Sequence, residues 1–479
     1  MFKTKYLILV LILLCPIISI ASDFQITRFQ LRVDDRTRSN QLSALISLKW
    51  KNSWNNAKNH DAVWVFIKVG TLGRGNRHAL ILPNNYQILS SNVKNLKIDV
   101  PKDQAGFFIY PGQKYRGDVE CTLVVKLDKK ALKRLNIYSI RGQAYGLEMV
   151  YVPEGGYTLG DPDATAYKNF SAFYKSDAEG KYDGLYKITA ENQVVEVGPE
   201  KGKLYYQVKR AIYQGDQKGP VPAEFPKGVQ SFYVMKYEVT QGQYVNFLNS
   251  LRDGQTQFRV PFGVKGYYKY RGSIVLKKDK YYAKSPQRPC NYIGWDDGCA
   301  FADWAGLRPW TELEYTKACR GPQKPVAHEF PWNTNSRNKV LRVVAENDEL
   351  VLLDGLDESK LTDQNRDQFG ASYYWVMDLA GSVWERVITI GDPVGRQFKG
   401  THGDGNLTGY GYATNKDWPS GDTEKGGFGF RGGGYYEHGI SMSDFNPYSP
   451  IAYRPYGSWS GGNRSKAYSN RFARTAEKK

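Results

Sequence analysis

Cysteine and histidine are scarce in this sequence. Its 479 residues include 5 cysteines and 5 histidines, and no cysteine follows Cys319. Because no two cysteines have the Cys-x-x-Cys spacing, the sequence argues against a structural zinc site. RNA-binding aromatic signatures, zinc-finger spacings and helix-turn-helix patterns are also missing, so we expect no nucleic-acid partner.

Long apolar runs are confined to the first residues of the chain. Two lysines precede an apolar run from Tyr6 to Ile20, and Ser19-Ile-Ala21 provides a small-x-small cleavage site. This pattern predicts a signal peptide at residues 1–21 and export to the periplasm, the outer cell surface or the medium. The run is shorter than the roughly 20 residues of a spanning helix. No comparable run follows, so we expect no transmembrane segment in the mature chain.

Acidic residues are outnumbered by basic ones. The chain has 66 Lys and Arg against 48 Asp and Glu, which gives a net charge of +18. Excess positive charge bears on partners and solubility rather than on fold. It predicts an acidic neighbour such as an anionic glycan or an envelope surface, with an ordinary solvated surface as the alternative.

Four cysteines remain once the signal peptide is removed, namely Cys121, Cys290, Cys299 and Cys319. In an oxidising compartment an even number of cysteines allows disulfides, and four cysteines allow three pairings. A bridge among the last three is one expectation, because they are close in sequence. The sequence does not choose the pairing.

The first half of the chain favours strands and turns over helices. Apolar and polar residues alternate in Phe29–Val33, Ala44–Trp50, Val63–Val69 and Cys121–Leu127. Alternation with period two predicts strands with one face buried and one face in water. We therefore predict an all-β, immunoglobulin-like sandwich at residues 22–145.

A second domain is predicted at residues 146–479. Leu147–Gly160 has the pattern of a strand that leads to a turn, and Phe232–Thr240 has that of a further strand. Between them, a polar and tyrosine-rich stretch at about 161–229 has little periodicity. We predict that this stretch is an insertion or a long surface excursion.

Three helices are predicted next, from apolar residues at helical spacing and from end signals. Thr240 is a cap for the first helix, at Gln241–Asn249. The second helix, Trp295–Ala305, is followed by a glycine that ends it. The third starts at Thr311, which forms a capping box with Glu314.

Short motifs then follow one another in a fixed order from residue 147 to residue 473. They are Met149–Pro153 with Gly160, Glu238–Tyr244, Asn291–Trp295 with Phe301–Gly306, Leu307–Tyr315 with Ala318–Gly321, Pro331–Asn333, Asp378–Arg386 and Arg431–Gly433. This series resembles the formylglycine-generating enzyme family, also called sulfatase-modifying factors or the FGE-sulfatase domain. The resemblance implies a loop-rich α+β domain of the C-type-lectin-like fold.

The same resemblance implies a chemistry that this sequence lacks. Active members of the family use two cysteines after a Gly-Gly-Ser motif to bind copper(I) and to oxidise a substrate cysteine to formylglycine. Thiolates suit this task because soft ligands favour copper(I). When Gly432–Gly434 is laid on the motif, Glu437 and Met442 take the two cysteine positions. We therefore predict no catalytic residue of the family type.

Other metals give the alternative, a metal-dependent oxidoreductase with an atypical site. An iron-dependent branch of the superfold uses histidines, but His60, His78, His328, His402 and His438 have no His-x-x-x-His spacing. Carboxylates such as Glu437 and Asp444 are the other candidates for this alternative.

Calcium is the cofactor that the resemblance still allows. Some family members bind calcium around a Gly-Asn-x-Trp-Glu segment, which here is Gly381-Ser-Val-Trp-Glu385. The carboxylate of Glu385 is present, but Ser382 replaces the asparagine. Because calcium prefers several oxygen ligands, this change weakens a site at Glu385 without abolishing it.

The C-terminal segment from Gly432 to Ser469 carries many aromatic and arginine side chains among small residues. Such surfaces form adaptable contacts, and in this superfold the region lines the ligand face. The predicted ligand-binding residues are Tyr436, Glu437, His438, Tyr453, Arg454 and Arg464. The alternative is that these side chains fill a domain short of helices, with Tyr435 and Trp459 as structural residues.

These observations predict an exported, non-catalytic protein of the bacterial cell envelope or surface. It would act as a binding or structural component, either within an envelope, secretion or motility assembly or as an adhesin. Its expected partner is an envelope or surface protein, or an anionic glycan.

Overall fold

The computed structural model describes residues 24–34, 41–71, 74–128, 140–208, 215–344, 350–422, 425–434, 448–461 and 463–477. The signal peptide predicted at residues 1–21 lies outside these ranges. Within them, no helix has the length and apolar character needed to cross a membrane.

The strands up to residue 152 are antiparallel and mostly long. They are β1 Gln25–Asp34, β2 Gln41–Asn55, β3 Asp61–Thr71, β4 Arg74–His78, β5 Ile81–Ser91, β6 Leu96–Asp99, β7 Phe107–Pro111, β8 Tyr115–Leu127 and β9 Arg141–Val152. The first sheet has the strand order β1-β2-β8-β5, and β3, β4, β6, β7 and β9 belong to a second sheet. Apolar side chains of both sheets form one core between them.

Strand β3 is buried on both of its faces. Val63 and Val65 point into the core between the two sheets. Trp64 and Phe66 point the other way, into the core of the C-terminal domain, and Trp64 Nε1 donates a 2.8 Å hydrogen bond to the carbonyl of Ala305. The prediction that this strand has one wet face is therefore wrong, because the C-terminal domain covers that face.

Residues 153–231 form short strands around a four-residue helix. The elements are β10 Tyr157–Leu159, α1 Ala166–Asn169, β11 Tyr174–Lys175, β12 Tyr186–Ile188, β13 Val195–Val197, β14 Leu204–Tyr205 and β15 Gly219–Val221. Val195, Leu204 and Val221 are buried in the same core as Trp64. The stretch predicted as a surface excursion is thus packed into the domain, because short runs such as Val195–Val197 supply apolar residues at strand spacing.

The remaining elements are short and widely spaced. They are β16 Phe232–Met235, α2 Gln241–Ser250, α3 Asp253–Arg259, a 3₁₀ helix Tyr267–Lys269, β17 Ile274–Lys277, β18 Lys280–Ala283, α4 Trp295–Ala305, β19 Arg308–Pro309, α5 Glu312–Arg320, β20 Arg342–Val344, β21 Leu350–Leu352, a 3₁₀ helix Glu358–Lys360, α6 Arg366–Phe369, β22 Trp384–Ile388, α7 Pro393–Arg396, β23 Phe428–Arg431, β24 Tyr468–Asn470 and β25 Phe472–Thr475. Loops connect most of them.

The predicted helix ends are confirmed. Thr240 accepts a hydrogen bond from the amide of Gln243 at the start of α2. Thr311 and Glu314 satisfy each other's backbone amides at the start of α5. Gly306 ends α4 with a φ of 68°, in the left-handed region that glycine adopts without strain.

The second sheet continues from the N-terminal part into the C-terminal domain. Its order is β19-β25-β16-β9-β3-β7-β6. The domain boundary predicted near residue 145 lies inside β9. This strand pairs on one side with β3, where Val65 faces Gly146, and on the other with β16, where Val234 faces Val150. The two parts therefore share one hydrogen-bonded sheet.

The four cysteines that follow the predicted signal peptide are all free and buried. Cys121 lies in the core between the first two sheets, Cys290 and Cys299 lie in the core around α4, and Cys319 lies in a third core. The expected bridge among the last three is absent from these residues: all three thiols are free, and Cys319 packs in a different core from Cys290 and Cys299.

Candidate functional site

The site predicted from the family motif is built on a three-stranded sheet with the order β23-β22-β24. Gly432 and Gly433 follow β23 with left-handed φ values of 94° and 82°. A side chain at Gly434 would lie 2.6 Å from the backbone nitrogen of Trp384. Glycine is therefore the residue that lets this turn lie against β22.

The residues that follow this turn, 435–447, lie outside the described part of the chain. Ligand binding by Tyr436, Glu437 and His438 stays a prediction for that reason.

Aromatic side chains of the C-terminal segment pack together beside the glycine turn. Trp384, Phe430, Tyr456, Trp459 and Tyr468 surround a cavity of only about 10 Å³. The ring centres of Phe430 and Tyr468 are 4.5 Å apart, and those of Trp384 and Tyr456 are 5.3 Å apart. These aromatic residues fill the domain, as the alternative interpretation of the C-terminal segment predicted.

An open cleft of about 410 Å³ lies next to this aromatic cluster, and we call it the α4 cleft. Its lining residues are Phe258, Arg259, Val264, Gly294, Trp295, Asp296, Asp297, Arg386, Tyr412, Gly421, Phe428, Ser460, Asn463 and Arg464. Arg386 joins the cleft to the aromatic cluster, because its guanidinium lies 4.6 Å from the ring centre of Phe430. Its Nη2 also donates a 2.8 Å hydrogen bond to the carbonyl of Asn463.

Asp297 organises one wall of the α4 cleft. Its carboxylate accepts hydrogen bonds from Arg464 at 2.7 Å on both oxygens and from Arg259 at 3.0 Å. It also accepts the amide hydrogen of Gly294 at 2.8 Å, which caps the start of α4. Arg464 reaches further, to the carbonyls of Phe258 and residue 260 at 2.6 Å each. The wall is therefore held rigidly before any ligand arrives.

Burial shifts the pKa values of the charged groups in the cleft. It lowers the pKa of the Arg386 guanidinium to about 10. It raises the pKa of the Asp296 carboxyl, and nearby Arg259 partly offsets this effect. Burial alone would lower the pKa of Arg464, but the hydrogen bonds and charge of Asp297 raise it above its ordinary value. Arginines remain charged near neutral pH in this setting.

The predicted ligand-binding residues that the structure describes are not brought together. Arg464 lines the α4 cleft. Tyr453 is half-buried, with its ring centre 6.3 Å from that of Trp384. Arg454 is only 2% exposed and is not displayed at the surface as predicted. Its ion pair with Glu312, at 3.0 Å, holds it in the interior.

Arg454 also shows why the prediction of surface display failed. Its guanidinium carbon lies 4.0 Å from the ring centre of Phe173 and 3.9 Å from that of Tyr206. Both rings come from the stretch predicted as a surface excursion. Because that stretch is packed into the domain, it covers the arginine.

The environment of Glu385 bears on the calcium site that the resemblance allows. Both of its carboxylate oxygens accept hydrogen bonds from Arg471, at 2.7 and 2.8 Å. The same guanidinium donates to the carbonyls of Met235, Lys236 and Met377 at 2.8–2.9 Å. All five N–H groups of Arg471 are thus used. The Arg471 guanidinium occupies the side of the Glu385 carboxylate on which a calcium ion would bind. Glu385 and its neighbours therefore do not fit calcium.

The residues present do not fit copper(I) either. No cysteine follows Cys319 anywhere in the sequence. Burial raises the pKa of Cys121 and of Cys319 to about 12, and it raises those of Cys290 and Cys299 well above the ordinary value. These thiols stay protonated, whereas copper(I) binding needs thiolates. Within the described ranges, no group of three or more His, Cys, Asp and Glu side chains is placed to hold a metal.

The histidines considered for iron binding have separate roles. His60 stacks on Tyr110 with ring centres 4.3 Å apart. His78 contacts two backbone carbonyls, at 2.9 and 3.0 Å. His402 accepts a 3.0 Å hydrogen bond from the amide of Thr475. His438 lies outside the described residues.

Sequence reasoning missed most of the α4 cleft. Arg259, Asp296, Arg386, Tyr412 and Phe428 come from segments far apart in the chain and meet only in the fold. One usable signal was the acidic pair in the first turn of α4, where carboxylates complement the helix N-terminus. Gly294, Trp295 and Arg386 belong to family motifs, but nothing in those motifs indicated that they meet at a cleft.

Comparisons with known proteins agree with the motif order. A family model described as the sulfatase-modifying factor enzyme 1-like domain matches residues 189–445. A formylglycine-generating enzyme from Bos taurus is 24% identical over 197 residues, which cover 35% of this chain and 51% of that relative. The match thus spans about half the length of the bovine protein.

Proposed function

Because the chain belongs to the sulfatase-modifying factor family, we propose that it is an exported, non-catalytic member that binds a partner at the bacterial cell envelope or surface. The family's C-type-lectin-like α+β fold describes the C-terminal domain. The immunoglobulin-like classification of the N-terminal sheets is part of this proposal. The expected partner is an envelope or surface protein, or an anionic glycan.

The observation that carries the proposal is that the chain keeps the glycine turn of the family motif but lacks the two copper-binding cysteines that follow it in active members. The glycine turn at Gly432–Gly434 lies against β22, and the adjoining α4 cleft is open. No cysteine follows Cys319. A family frame that lacks soft ligands for copper(I), and that has an open cleft near its glycine turn, supports binding rather than oxidation.

Export is supported by the sequence alone. The lysines, apolar run and small-x-small site of residues 1–21 have the order of a signal peptide. The net charge of +18 would favour an acidic envelope partner.

Metal content and thiol oxidation test the non-catalytic role. We would purify the mature protein without chelator, measure its metals by elemental mass spectrometry and titrate it with copper(I). We would then incubate it with copper(I), oxygen and a reduced cysteine peptide, and trap any aldehyde with a hydroxylamine probe. We expect no stoichiometric copper and no aldehyde.

A matched variant controls this experiment. Glu437→Cys combined with Met442→Cys returns two thiols to the positions given by the motif, and it should gain copper(I) binding. Stoichiometric copper or iron in the unaltered protein, or an aldehyde product, would contradict the proposal. Either result would favour the metal-dependent oxidoreductase instead.

A further inference from the structure

We propose that the α4 cleft binds an acidic glycan, with a sugar carboxylate held by its arginines. This inference rests on the proposed binding function and names the ligand class. It is carried by the charge of the cleft, by a buried donor without an acceptor, by a mixture of donors and acceptors, and by aromatic rings at the rim.

The charge of the cleft favours an anion. Arg259, Arg386 and Arg464 line it together with Asp296 and Asp297, which leaves one positive charge in excess. Asp297 is already engaged by two of the arginines. A carboxylate entering the cleft would therefore meet Arg259 and Arg464, which share the carboxylate of Asp297 as their ion-pair partner among the described residues.

Arg259 supplies a donor that needs an acceptor. The residue is 2% exposed, and its Nη1 donates to Asp297. Its buried Nε–H has no hydrogen-bond acceptor among the described residues. A buried donor without a partner costs free energy, so an acceptor that reached Arg259 Nε when a ligand displaced the groups covering it would be favoured.

The cleft also offers acceptors, and this feature separates a sugar from a simple anion. Asp296, Ser460 and Asn463 line it, and all three carry side-chain oxygens that can accept hydrogen bonds. A phosphate ion accepts hydrogen bonds and gains little from a neighbouring carboxylate. Sugar hydroxyl groups both donate and accept, so they match a lining of arginines and aspartates.

Aromatic rings stand at the rim of the cleft. Phe258 is 39% exposed and Tyr412 is 40% exposed, and Arg259 lies 4.3 Å from the ring centre of Tyr412. Tyr410, 64% exposed, packs edge-on against Phe258. Ring faces are electron-rich and attract the weakly positive C–H groups of a sugar. These large exposed rings beside a charged cleft suit a chain of sugars that extends out of it.

Calorimetric titration of the mature full-length protein tests the inference. The probe is an oligomer of galacturonic acid, and the matched ligand is the same oligomer with its carboxyl groups methyl-esterified. We expect the acid form to bind, and we expect its affinity to fall as the salt concentration rises. We expect esterification to weaken binding roughly tenfold or more, the usual effect of losing a charged hydrogen-bond partner.

Variants locate the binding in the α4 cleft. Arg259→Gln should weaken binding of the acid form roughly tenfold. Tyr412 is partly exposed, so Tyr412→Ala should fold normally. This variant keeps the inference testable if Arg259→Gln fails to fold. It should weaken binding about threefold to tenfold. Tyr282→Ala is the matched control, since Tyr282 is 50% exposed on β18 and should leave affinity unchanged.

The outcomes separate this inference from the proposed function. If the acid and ester forms bind equally, or if oligo-glutamate binds while galacturonate does not, the glycan inference is overturned and the non-catalytic binding role stands. Equal effects of Tyr412→Ala and Tyr282→Ala would also overturn it. Aldehyde formation or stoichiometric copper would overturn the proposed function, whichever sugar binds.

Discussion

Replacement of Arg471 by methionine tests how far its buried hydrogen bonds and ion pair stabilise the fold. Arg471 is fully buried and uses all five N–H groups, two on Glu385 and three on backbone carbonyls. Burial alone would lower its pKa, but Glu385 raises it above the ordinary value. The variant Arg471→Met keeps much of the side-chain volume and removes every donor.

The expected cost follows from what the variant leaves behind. Glu385 would stay in the core without a counter-charge, and removal of one partner of a buried ion pair costs about 3–5 kcal/mol. We therefore expect Arg471→Met to lower the free energy of unfolding by about 4 kcal/mol. The double variant Arg471→Met, Glu385→Gln should recover part of this loss, because the Glu385 carboxylate is then no longer buried without its ion-pair partner.

Urea denaturation followed by tryptophan fluorescence measures the effect. Arg464→Met is the matched control, because its side chain is 26% exposed and Asp297 keeps Arg259 as a partner. It should cost less than Arg471→Met, about 2 kcal/mol, because Asp297 stays paired. A loss below about 1 kcal/mol for Arg471→Met, or no recovery in the double variant, would refute the argument that this guanidinium holds Glu385 in the core.

Further predictions concern the same region. Calcium should not raise the melting temperature of the unaltered protein, since Arg471 uses both oxygens of Glu385; a rise at millimolar calcium would contradict this. Burial, reinforced by Asp378, raises the pKa of Glu238 well above its ordinary value. Its folded form therefore keeps a proton that the unfolded chain loses above about pH 4, and its contribution to stability falls as pH rises. Glu238→Gln should be more stable than the unaltered protein by about 1 kcal/mol at pH 7 and equal to it near pH 4, as pH-dependent unfolding would show. Gly434→Ala should cost about 2 kcal/mol, measured by thermal unfolding, because its Cβ would lie 2.6 Å from the Trp384 amide; an unchanged melting temperature would mean that the turn adapts.

Local signals in the sequence predicted local structure well. The caps at Thr240 and Thr311 and the terminating glycine at Gly306 depend on residues within four positions of one another. The order of the family motifs predicted the family, and the family model that matches residues 189–445 confirms that prediction. Both kinds of signal can be read without knowledge of long-range contacts.

Long-range packing was not accessible in the same way. The sequence pattern of β3 is compatible with a second face in water and with a second face in another core. It therefore did not predict that Trp64 and Phe66 are buried. Arg454 was predicted to bind a ligand because it lies in a segment rich in aromatic and arginine side chains, a composition typical of contact surfaces. The α4 cleft joins residues such as Arg259 and Arg386 that are distant in sequence, and no spacing rule connects them.

The sheet that joins the two parts of the chain has a mechanical consequence. Strand β3 pairs with β9 from Asp61 to Gly70, and β9 continues through β16 to β25. A force that pulled the N-terminal strands along their axis would load these hydrogen bonds in shear, where many must break at once. If the chain were held at both ends, tension that passed along these strands would be resisted by the β3–β9 hydrogen bonds together rather than one at a time.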